Sequence, residues 1–219
     1  RRALANCINQ STDMTESIMT MPIEAYTDET RYRAERNRIF SSLPIAGALS
    51  IELPSPGNYK TISILEKPLL LVRGDDGKAR AFLNVCRHRG ARICEAEEGV
   101  VKKFSCPYHS WVYDLQGNLT SRYAAGTFGD LDHSSLGLTA IGCEEDAGII
   151  WLTLDSSAPI DIKTWLGGMR AKLDSLYLGD WHLFKKRTLD GPGWKVTMDG
   201  YAFFIANTSI DIMVLPPWL

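Results

Sequence analysis

Two short loops between residues 83 and 113 each offer one cysteine and one histidine. In the first loop, one residue separates Cys86 from His88; in the second, two residues separate Cys106 from His109. The chain has only four histidines and five cysteines, and two of each lie in this stretch. Thiolates and imidazoles are common ligands of transition metals in proteins. The spacing therefore predicts one metal centre held between two loops.

Two cysteines and two histidines suit a cluster of two irons and two sulfides. When such a donor set holds this cluster, the thiolates bind one iron and the imidazoles bind the other. Two loops that approach from opposite sides can each supply one ligand of each kind. Gly90 permits a tight bend in the first loop, and Pro107 stiffens the second. Histidine ligands raise the reduction potential of such centres to about −150 to +300 mV.

The two loops resemble the Rieske centre of aromatic-ring-hydroxylating oxygenase alpha subunits. The resemblance is carried by Cys86-Arg-His88-Arg-Gly90 and by Cys106-Pro-Tyr-His109-Ser-Trp111. It implies that a [2Fe-2S] Rieske cluster is bound by four residues: Cys86, His88, Cys106 and His109. No other cofactor-binding or metal ligand is assigned, and the catalytic residues stay unassigned.

Two positions separate this chain from the respiratory and photosynthetic Rieske proteins. Those proteins carry two further cysteines, joined as a disulfide, where this chain has Ala91 and Tyr108. The difference places the chain on the lower-potential, oxygenase side of the family. One departure from the oxygenase pattern is Ser110, which stands where the family usually has glycine.

A zinc site made of the same four residues is the alternative metal centre. Zinc is commonly bound by cysteine and histidine. Zinc motifs typically begin with two cysteines two to four residues apart, and the Cys-x-His opening is uncommon among them. The spacing therefore favours the iron cluster.

The composition indicates a soluble globular protein. A chain of 219 residues can form one large domain or two modest ones. The net charge of −2 does not favour nucleic-acid binding, and no apolar run is long enough to cross a membrane. The remaining cysteines, Cys7, Cys94 and Cys143, are scattered and odd in number. They are best explained as reduced thiols of a cytoplasmic protein.

The pattern along the chain predicts three segments, namely an N-terminal segment over residues 1–44, a Rieske domain over 45–155, and a partial catalytic domain over 156–219. A helix from about 28 to 40, N-capped by Thr27, lies in the first segment. A helix over 162–178 opens the third. Short strands divided by turns fill the second, at residues 49–53, 59–65, 68–73, 79–84, 100–105, 111–115, 119 onward, 138–143 and 148–154.

The expected fold class is α+β. The resemblance implies an antiparallel β Rieske [2Fe-2S] domain (ISP-like), followed by the beginning of an α+β catalytic domain of the helix-grip type. The segment from Gly193 to Tyr201 is similar to the start of that domain, where a Trp-Lys pair precedes the iron-binding helix.

The mononuclear iron site of the family has no counterpart in the sequence. No histidine follows His182, so a triad of two histidines and one carboxylate cannot be built. We expect a segment to be left out near 201/202, and residues 204–213 to form a sheet strand. Asp199 is a candidate carboxylate beside the expected iron site. His133 and His182 are interpreted as surface or capping histidines.

The resemblance implies the terminal oxygenase component of a Rieske non-haem iron oxygenase. Electrons from NAD(P)H would arrive through a flavin reductase, with or without a ferredoxin. A mononuclear Fe(II), expected in the complete protein, would activate O2 to hydroxylate an aromatic or related organic substrate. The family implies a homotrimer, with or without a beta subunit. Five basic residues are candidates for docking an acidic ferredoxin: Arg87, Arg89, Arg92, Lys102 and Lys103.

The alternative function is that of a Rieske ferredoxin, an electron carrier without oxygenase activity. Such carriers are usually little longer than the β domain. The helix before that domain and the residues after it favour the oxygenase.

Overall fold

The computed structural model describes residues 2–11, 20–127, 132–155 and 161–206. The chain divides into two compact units. One unit spans residues 35–184, and the other combines residues 1–34 with 185–219. Both candidate ligand loops lie in the first unit.

Ten strands form two antiparallel sheets in the unit of residues 35–184. The strands are β1 (Ile45–Leu49), β2 (Asn58–Ile64), β3 (Lys67–Arg73), β4 (Ala79–Leu83), β5 (Glu98–Val100), β6 (Phe104–Ser105), β7 (Val112–Tyr113), β8 (Leu119–Ser121), β9 (Ala140–Asp146) and β10 (Ile149–Thr153). The larger sheet has the order β1-β10-β9-β4-β3-β2-β5, and the smaller has the order β6-β7-β8. The predicted α+β class with an antiparallel β domain is confirmed.

Tight hairpins set the register of the larger sheet. Strands β2 and β3 pair from Tyr59↔Val72 to Ile64↔Lys67. The two residues between these strands, Leu65 and Glu66, both have positive φ, at 48° and 66°. Two consecutive residues with positive φ are typical of a turn whose twist matches the strands on either side.

Strand β3 is buried on both faces and separates two apolar clusters. Leu70 and Val72 point into the cluster that contains the two loop cysteines. Leu69 and Leu71 point into a second cluster with Leu53 on the opposite side. Alternate residues of a strand face opposite sides of the sheet, so one apolar strand supplies both cores. The two loop cysteines therefore pack in a cluster with strand β3, which is buried from Leu69 to Arg73.

Two strand predictions differ clearly from the structure. Residues 45–49 form β1, whereas 50–52 form a 3₁₀ turn, in which the Glu52 carboxylate accepts the N–H of Leu49 at 2.9 Å. The predicted strand over 49–53 was therefore wrong in position, because pairing with β10 outweighs local propensity. The predicted strand over 100–105 is two strands, since β5 pairs with β2 and β6 pairs with β7.

The helix predictions differ in their ends and continuity. The helix predicted over 28–40 is α3 (Glu29–Glu35) followed by a π-helical turn (Arg36–Phe40). Thr27 ends the short helix α2 (Glu24–Thr27), and the Asp28 carboxylate accepts the N–H of Arg31 at 2.5 Å. Asp28 therefore occupies the capping position that was predicted for Thr27.

The helix predicted over 162–178 is interrupted by a glycine. Gly167 has φ of 50° and separates α4 (Ile162–Leu166) from α5 (Gly168–Asp174). A residue with positive φ cannot continue a right-handed helix. The prediction of one continuous helix was therefore wrong.

The unit formed by residues 1–34 and 185–219 contains helices α1 (Arg2–Asn9) and α6 (Trp194–Ala206). Helix α6 runs without a break through residues 201 and 202. Residues 204–206 belong to this helix, which corrects the start of the strand predicted over 204–213; the rest of that prediction lies outside the described residues. Within the described part of the chain, no helix combines the length and apolar character needed to span a bilayer.

Candidate metal centre

The first ligand loop turns back on itself through two backbone hydrogen bonds. The N–H of Cys86 donates to the carbonyl of Ala91 at 2.8 Å, and the N–H of Gly90 donates to the carbonyl of Cys86 at 3.0 Å. Gly90 has φ of 73°, a conformation that glycine adopts without strain. These contacts place Cys86 at the base of a compact turn.

The second loop repeats the same pattern. The N–H of Cys106 donates to the carbonyl of Trp111 at 2.8 Å, and the N–H of Ser110 donates to the carbonyl of Cys106 at 3.0 Å. Ser110 has φ of 53° and occupies the position that corresponds to Gly90. The two loops therefore share one backbone design, with a cysteine at the start of each turn.

The four predicted residues come together as a buried thiol pair and a less buried imidazole pair. Cys86 and Cys106 are each only 3% exposed and belong to one apolar cluster. The rings of His88 and His109 are partly buried and have centroids 4.6 Å apart, at 69° to each other. Sulfur therefore lies on the inner side and nitrogen on the outer side.

Aromatic side chains hold both imidazoles. The Trp111 ring is buried and stacks on His88, with a centroid distance of 4.9 Å and an interplanar angle of 6°. Tyr108 packs against His109 at 3.7 Å, and 59% of Tyr108 is exposed. The two histidines therefore differ in their surroundings, one being backed by the core and the other by a surface ring.

A buried tyrosine hydroxyl reaches the inner sulfur of the first loop. Tyr113 is fully buried, and its hydroxyl oxygen lies 3.3 Å from Cys86 Sγ. The same oxygen accepts the N–H of Arg87 at 3.2 Å. Because the oxygen accepts one hydrogen bond, its own proton is available for the sulfur.

Burial shifts the pKa values of three groups in these loops. Burial raises the pKa of the Cys86 thiol, and it also raises the pKa of Tyr113. Burial lowers the pKa of His88, and the nearby His109 and Arg89 lower it further. Neutral imidazole is the form that binds metals, so His88 is already favoured in its ligand form.

Asn84 was not singled out from the sequence, yet its side chain closes the first loop. Asn84 is 1% exposed, and its side-chain oxygen accepts the N–H groups of Ile93 at 3.1 Å and Cys94 at 3.0 Å. Its side-chain nitrogen donates to the carbonyl of Cys94 at 2.7 Å. The signal in the sequence was an asparagine at the end of the strand predicted over 79–84. A side-chain amide that is buried in such a place is normally hydrogen-bonded.

The remaining residues that were singled out from the sequence are not members of the thiol and imidazole pairs. His182 is exposed and lines a cavity of about 510 Å³ together with Trp181 and Arg73. Asp199 accepts a hydrogen bond from the Tyr26 hydroxyl at 2.5 Å. His133 begins a 3₁₀ turn, and its side chain is outside the described part. The five basic candidates near the loops are exposed: Arg87, Arg89, Arg92, Lys102 and Lys103.

Among the described residues, no three or more His, Cys, Asp or Glu side chains gather as ligands of a single ion would. A Rieske cluster makes a different demand, since each of its two irons takes two protein ligands.

Comparison with known proteins identifies the domain that carries these loops. Residues 45–129 match the Rieske [2Fe-2S] domain family. The chain is 36% identical over 141 residues to the glycine betaine monooxygenase oxygenase subunit of Pseudomonas aeruginosa, covering 64% of this chain and 32% of that protein. It is 38% identical over 152 residues to the biphenyl 2,3-dioxygenase subunit alpha of Rhodococcus jostii, covering 69% and 33%.

Solved structures give the same relationship. The quaternary ammonium Rieske monooxygenase CntA, in complex with L-carnitine, superposes with a TM-score of 0.77 at 28% identity, covering 83% of this chain and 52% of that one. Naphthalene 1,2-dioxygenase with bound indole superposes with a TM-score of 0.59 at 33% identity, covering 64% and 32%.

The chain spans about a third of the length of the curated relatives that it matches. The residues that match the domain family contain both loops and strands β1 to β8. The chain therefore carries a domain that matches the Rieske [2Fe-2S] family, and it is similar to the oxygenase subunits named above.

Proposed function

We propose that this chain is the electron-receiving part of the terminal component of a Rieske non-haem iron oxygenase. In this proposal Cys86 and Cys106 bind the inner iron of a [2Fe-2S] cluster, and His88 and His109 bind the outer iron. The observation that carries it is the pairing of two buried thiols with two partly exposed imidazoles on loops of one design. A Rieske cluster requires that separation of sulfur and nitrogen ligands.

The residues present fit the cluster in chemistry as well as in number. The two thiols are free cysteines in an apolar cluster, where thiolate charge would be costly without a metal. Tyr113 and the backbone of the first loop supply polar groups on the sulfur side. The zinc alternative fits the spacing less well, because zinc motifs typically begin with two cysteines two to four residues apart.

The protein has three tasks at such a centre. A bound Rieske cluster accepts and passes on single electrons at a potential set by its ligands. Trp111 fixes the plane of the His88 ring, and Tyr108 covers one side of His109. The Tyr113 hydroxyl would donate a hydrogen bond to Cys86 in its thiolate form. The buried strands below exclude water from the thiol side, while the imidazole side faces the surface.

We further propose that electrons arrive from NAD(P)H through a flavin reductase, with or without an acidic ferredoxin. The exposed basic residues near the loops support this docking, because opposite charges speed the encounter of two proteins. Reversing the charges of Lys102 and Lys103 is expected to slow cluster reduction at low salt and to have less effect at high salt. An unchanged rate at both salt concentrations would remove the docking proposal.

In the complete protein, a mononuclear Fe(II) is proposed to activate O2 for hydroxylation of a small organic substrate. The relatives named above include both aromatic-ring dioxygenases and a quaternary ammonium monooxygenase. The substrate class proposed here is an aromatic or related organic compound. We also propose a cytoplasmic homotrimer, with or without a beta subunit. The free thiols of Cys94 and Cys143 support a reducing compartment.

Metal analysis after anaerobic purification tests the ligand assignment. We expect two irons and two acid-labile sulfides for each chain, and an electron spin resonance signal in the reduced protein. Replacing Cys86, His88, Cys106 or His109 singly by alanine should abolish that signal. Cys143→Ala is the matched control, because Cys143 lies in the second apolar cluster, and it should retain the cluster. A colourless protein that contains zinc and no sulfide would contradict the proposal.

The iron content of the full-length protein distinguishes an oxygenase from an electron carrier. Three irons for each full-length chain are expected of the oxygenase, whereas two are expected of a Rieske ferredoxin. Oxygen consumption coupled to substrate hydroxylation is the corresponding activity measurement.

A further inference from the structure

The two ligand loops are closed in different ways, although their turns are alike. The second loop joins β6 to β7, and these strands pair directly through Phe104↔Tyr113 and Ser105↔Val112. A strand ladder therefore holds the two ends of the second loop together. The ladder therefore fixes the two ends of the segment that carries Cys106 and His109.

The first loop has no such ladder in the described sheets. It leaves β4, which pairs with β3 and β9, and it leads to β5, which pairs with β2. The two strands that flank the loop are thus bonded to other neighbours. Something other than strand pairing must hold its ends at residues 84 and 94.

The Asn84 side chain makes the connections that a ladder would otherwise supply. It binds both N–H groups of Ile93 and Cys94 and also the carbonyl of Cys94, at 2.7 to 3.1 Å. The backbone N–H of Asn84 donates to the carbonyl of Pro68 on β3 at 2.9 Å. One residue therefore ties the end of the loop to its start and ties both to the central strand.

We propose that Asn84 is a positioning residue that holds Cys86 and His88 in place for the cluster. This inference rests on the proposed ligand set. An asparagine suits the task because its amide offers both an acceptor and a donor at one point, and no apolar residue of similar size can do so. Without the amide, the buried N–H groups of Ile93 and Cys94 lose their acceptor, and the loop must open for them to reach water.

The test compares Asn84→Ala and Asn84→Asp with Asn58→Ala. Asn58 provides the matched control, because its side-chain oxygen accepts the N–H of Ser55 at 2.9 Å in a turn of the same sheet. Each protein is purified anaerobically, and its fold is verified by far-ultraviolet circular dichroism. Three quantities are then measured: iron release to a chelator, the midpoint potential, and the electron spin resonance line shape of the reduced cluster.

We expect Asn84→Ala to release iron at least tenfold faster than the wild type, with a shifted midpoint potential and a broadened resonance line. Asn84→Asp keeps the acceptor oxygen, and its three measured values should lie between those of Asn84→Ala and the wild type. Asn58→Ala should match the wild type in all three quantities. If Asn84→Ala does not fold, Asn84→Asp alone carries the comparison.

Three results would overturn the proposal. The first is wild-type release and potential in either folded Asn84 variant, and the second is an equal effect of Asn58→Ala. The third is failure of both Asn84 variants to fold, which would show a role in the whole domain instead of the loop. A wild-type protein that holds no cluster would instead refute the proposed function, so the two failures are distinguishable.

Discussion

Gly90 and Ser110 occupy equivalent positions in the two ligand loops, and both adopt positive φ. The φ angles are 73° for Gly90 and 53° for Ser110, and each residue donates its N–H to the carbonyl of the cysteine four positions earlier. Glycine adopts this conformation freely, whereas a side chain at Cβ is strained there. The second loop therefore carries a strain that the first loop avoids.

Ser110→Gly should relieve that strain and stabilise the protein. We expect the free energy of unfolding to rise by about 1 kcal/mol, measured by urea denaturation. Ser63→Gly, an exposed serine within β2, is the control and should lower the free energy of unfolding, because glycine weakens a strand. Equal changes at both positions would contradict the assignment of strain to Ser110.

Tyr113→Phe should lower the midpoint potential of the cluster. The Tyr113 hydroxyl lies 3.3 Å from Cys86 Sγ, and a hydrogen bond to a cluster sulfur stabilises the more negative, reduced state. A hydrogen bond worth about 1 kcal/mol corresponds to a decrease of about 40 mV for one electron. Redox titration followed by visible circular dichroism measures the potential. Tyr59→Phe, in the same apolar cluster, should leave it within a few millivolts of the wild-type value.

The ion pair between Arg73 and Glu145 should make the free energy of unfolding decrease at acidic pH. Arg73 is buried at the end of β3 and binds Glu145 with two nitrogens, which holds the pKa of that carboxyl below its usual range. The pair therefore stabilises the fold above about pH 4.3, the unfolded value, and this contribution is lost as the pH falls through the folded-state pKa.

Glu145→Gln tests that contribution. At pH 7 the variant should lose about 2 kcal/mol of the free energy of unfolding, and at pH 3 the two proteins should differ much less. Urea denaturation at several pH values gives the comparison. Glu98→Gln, at an exposed position in β5, should follow the wild-type pH profile. A constant difference between wild type and Glu145→Gln from pH 7 to pH 3 would argue against the ion pair.

The three cysteines other than Cys86 and Cys106 should react with alkylating agents at very different rates. Burial raises the pKa of the Cys94 thiol to about 11 and that of Cys143 to about 12, whereas Cys7 is exposed in α1. Only about one Cys94 in a thousand is a thiolate at pH 8, and the thiolate is the reactive form. Iodoacetamide at pH 8 should therefore add a single adduct to the folded protein, and Cys7→Ser should prevent it. Mass spectrometry locates the adducts, and rapid labelling of Cys94 or Cys143 would contradict the prediction.

The sequence was most informative where a single local signal decided the structure. The Pro-Gly and Gly-Asp-Asp-Gly turns and the branched residues between them led to predictions of β2 and β3 that are accurate to about one residue. The cysteine and histidine spacing brought the candidate ligands together on two loops. In these stretches local propensity and long-range pairing agree.

The sequence was less informative where a distant partner decided the structure. Strand β1 lies at residues 45–49 because it pairs with β10, a contact that no local pattern encodes. The contacts of Asn84 with residue 94, and of Tyr113 with Cys86, likewise join parts of the chain that are distant in sequence. Gly167 illustrates a different limit, since the periodicity on both sides is helical and only its positive φ ends the helix.

The pairing of β1 with β10 brings Ile45 opposite Leu152, so the polypeptide enters and leaves the sheet side by side at one edge. A module whose two ends meet can be inserted into a surface loop of another protein without stretching either host or guest. The arrangement therefore suits this domain to insertion into other polypeptide chains, because neither junction would need to be stretched.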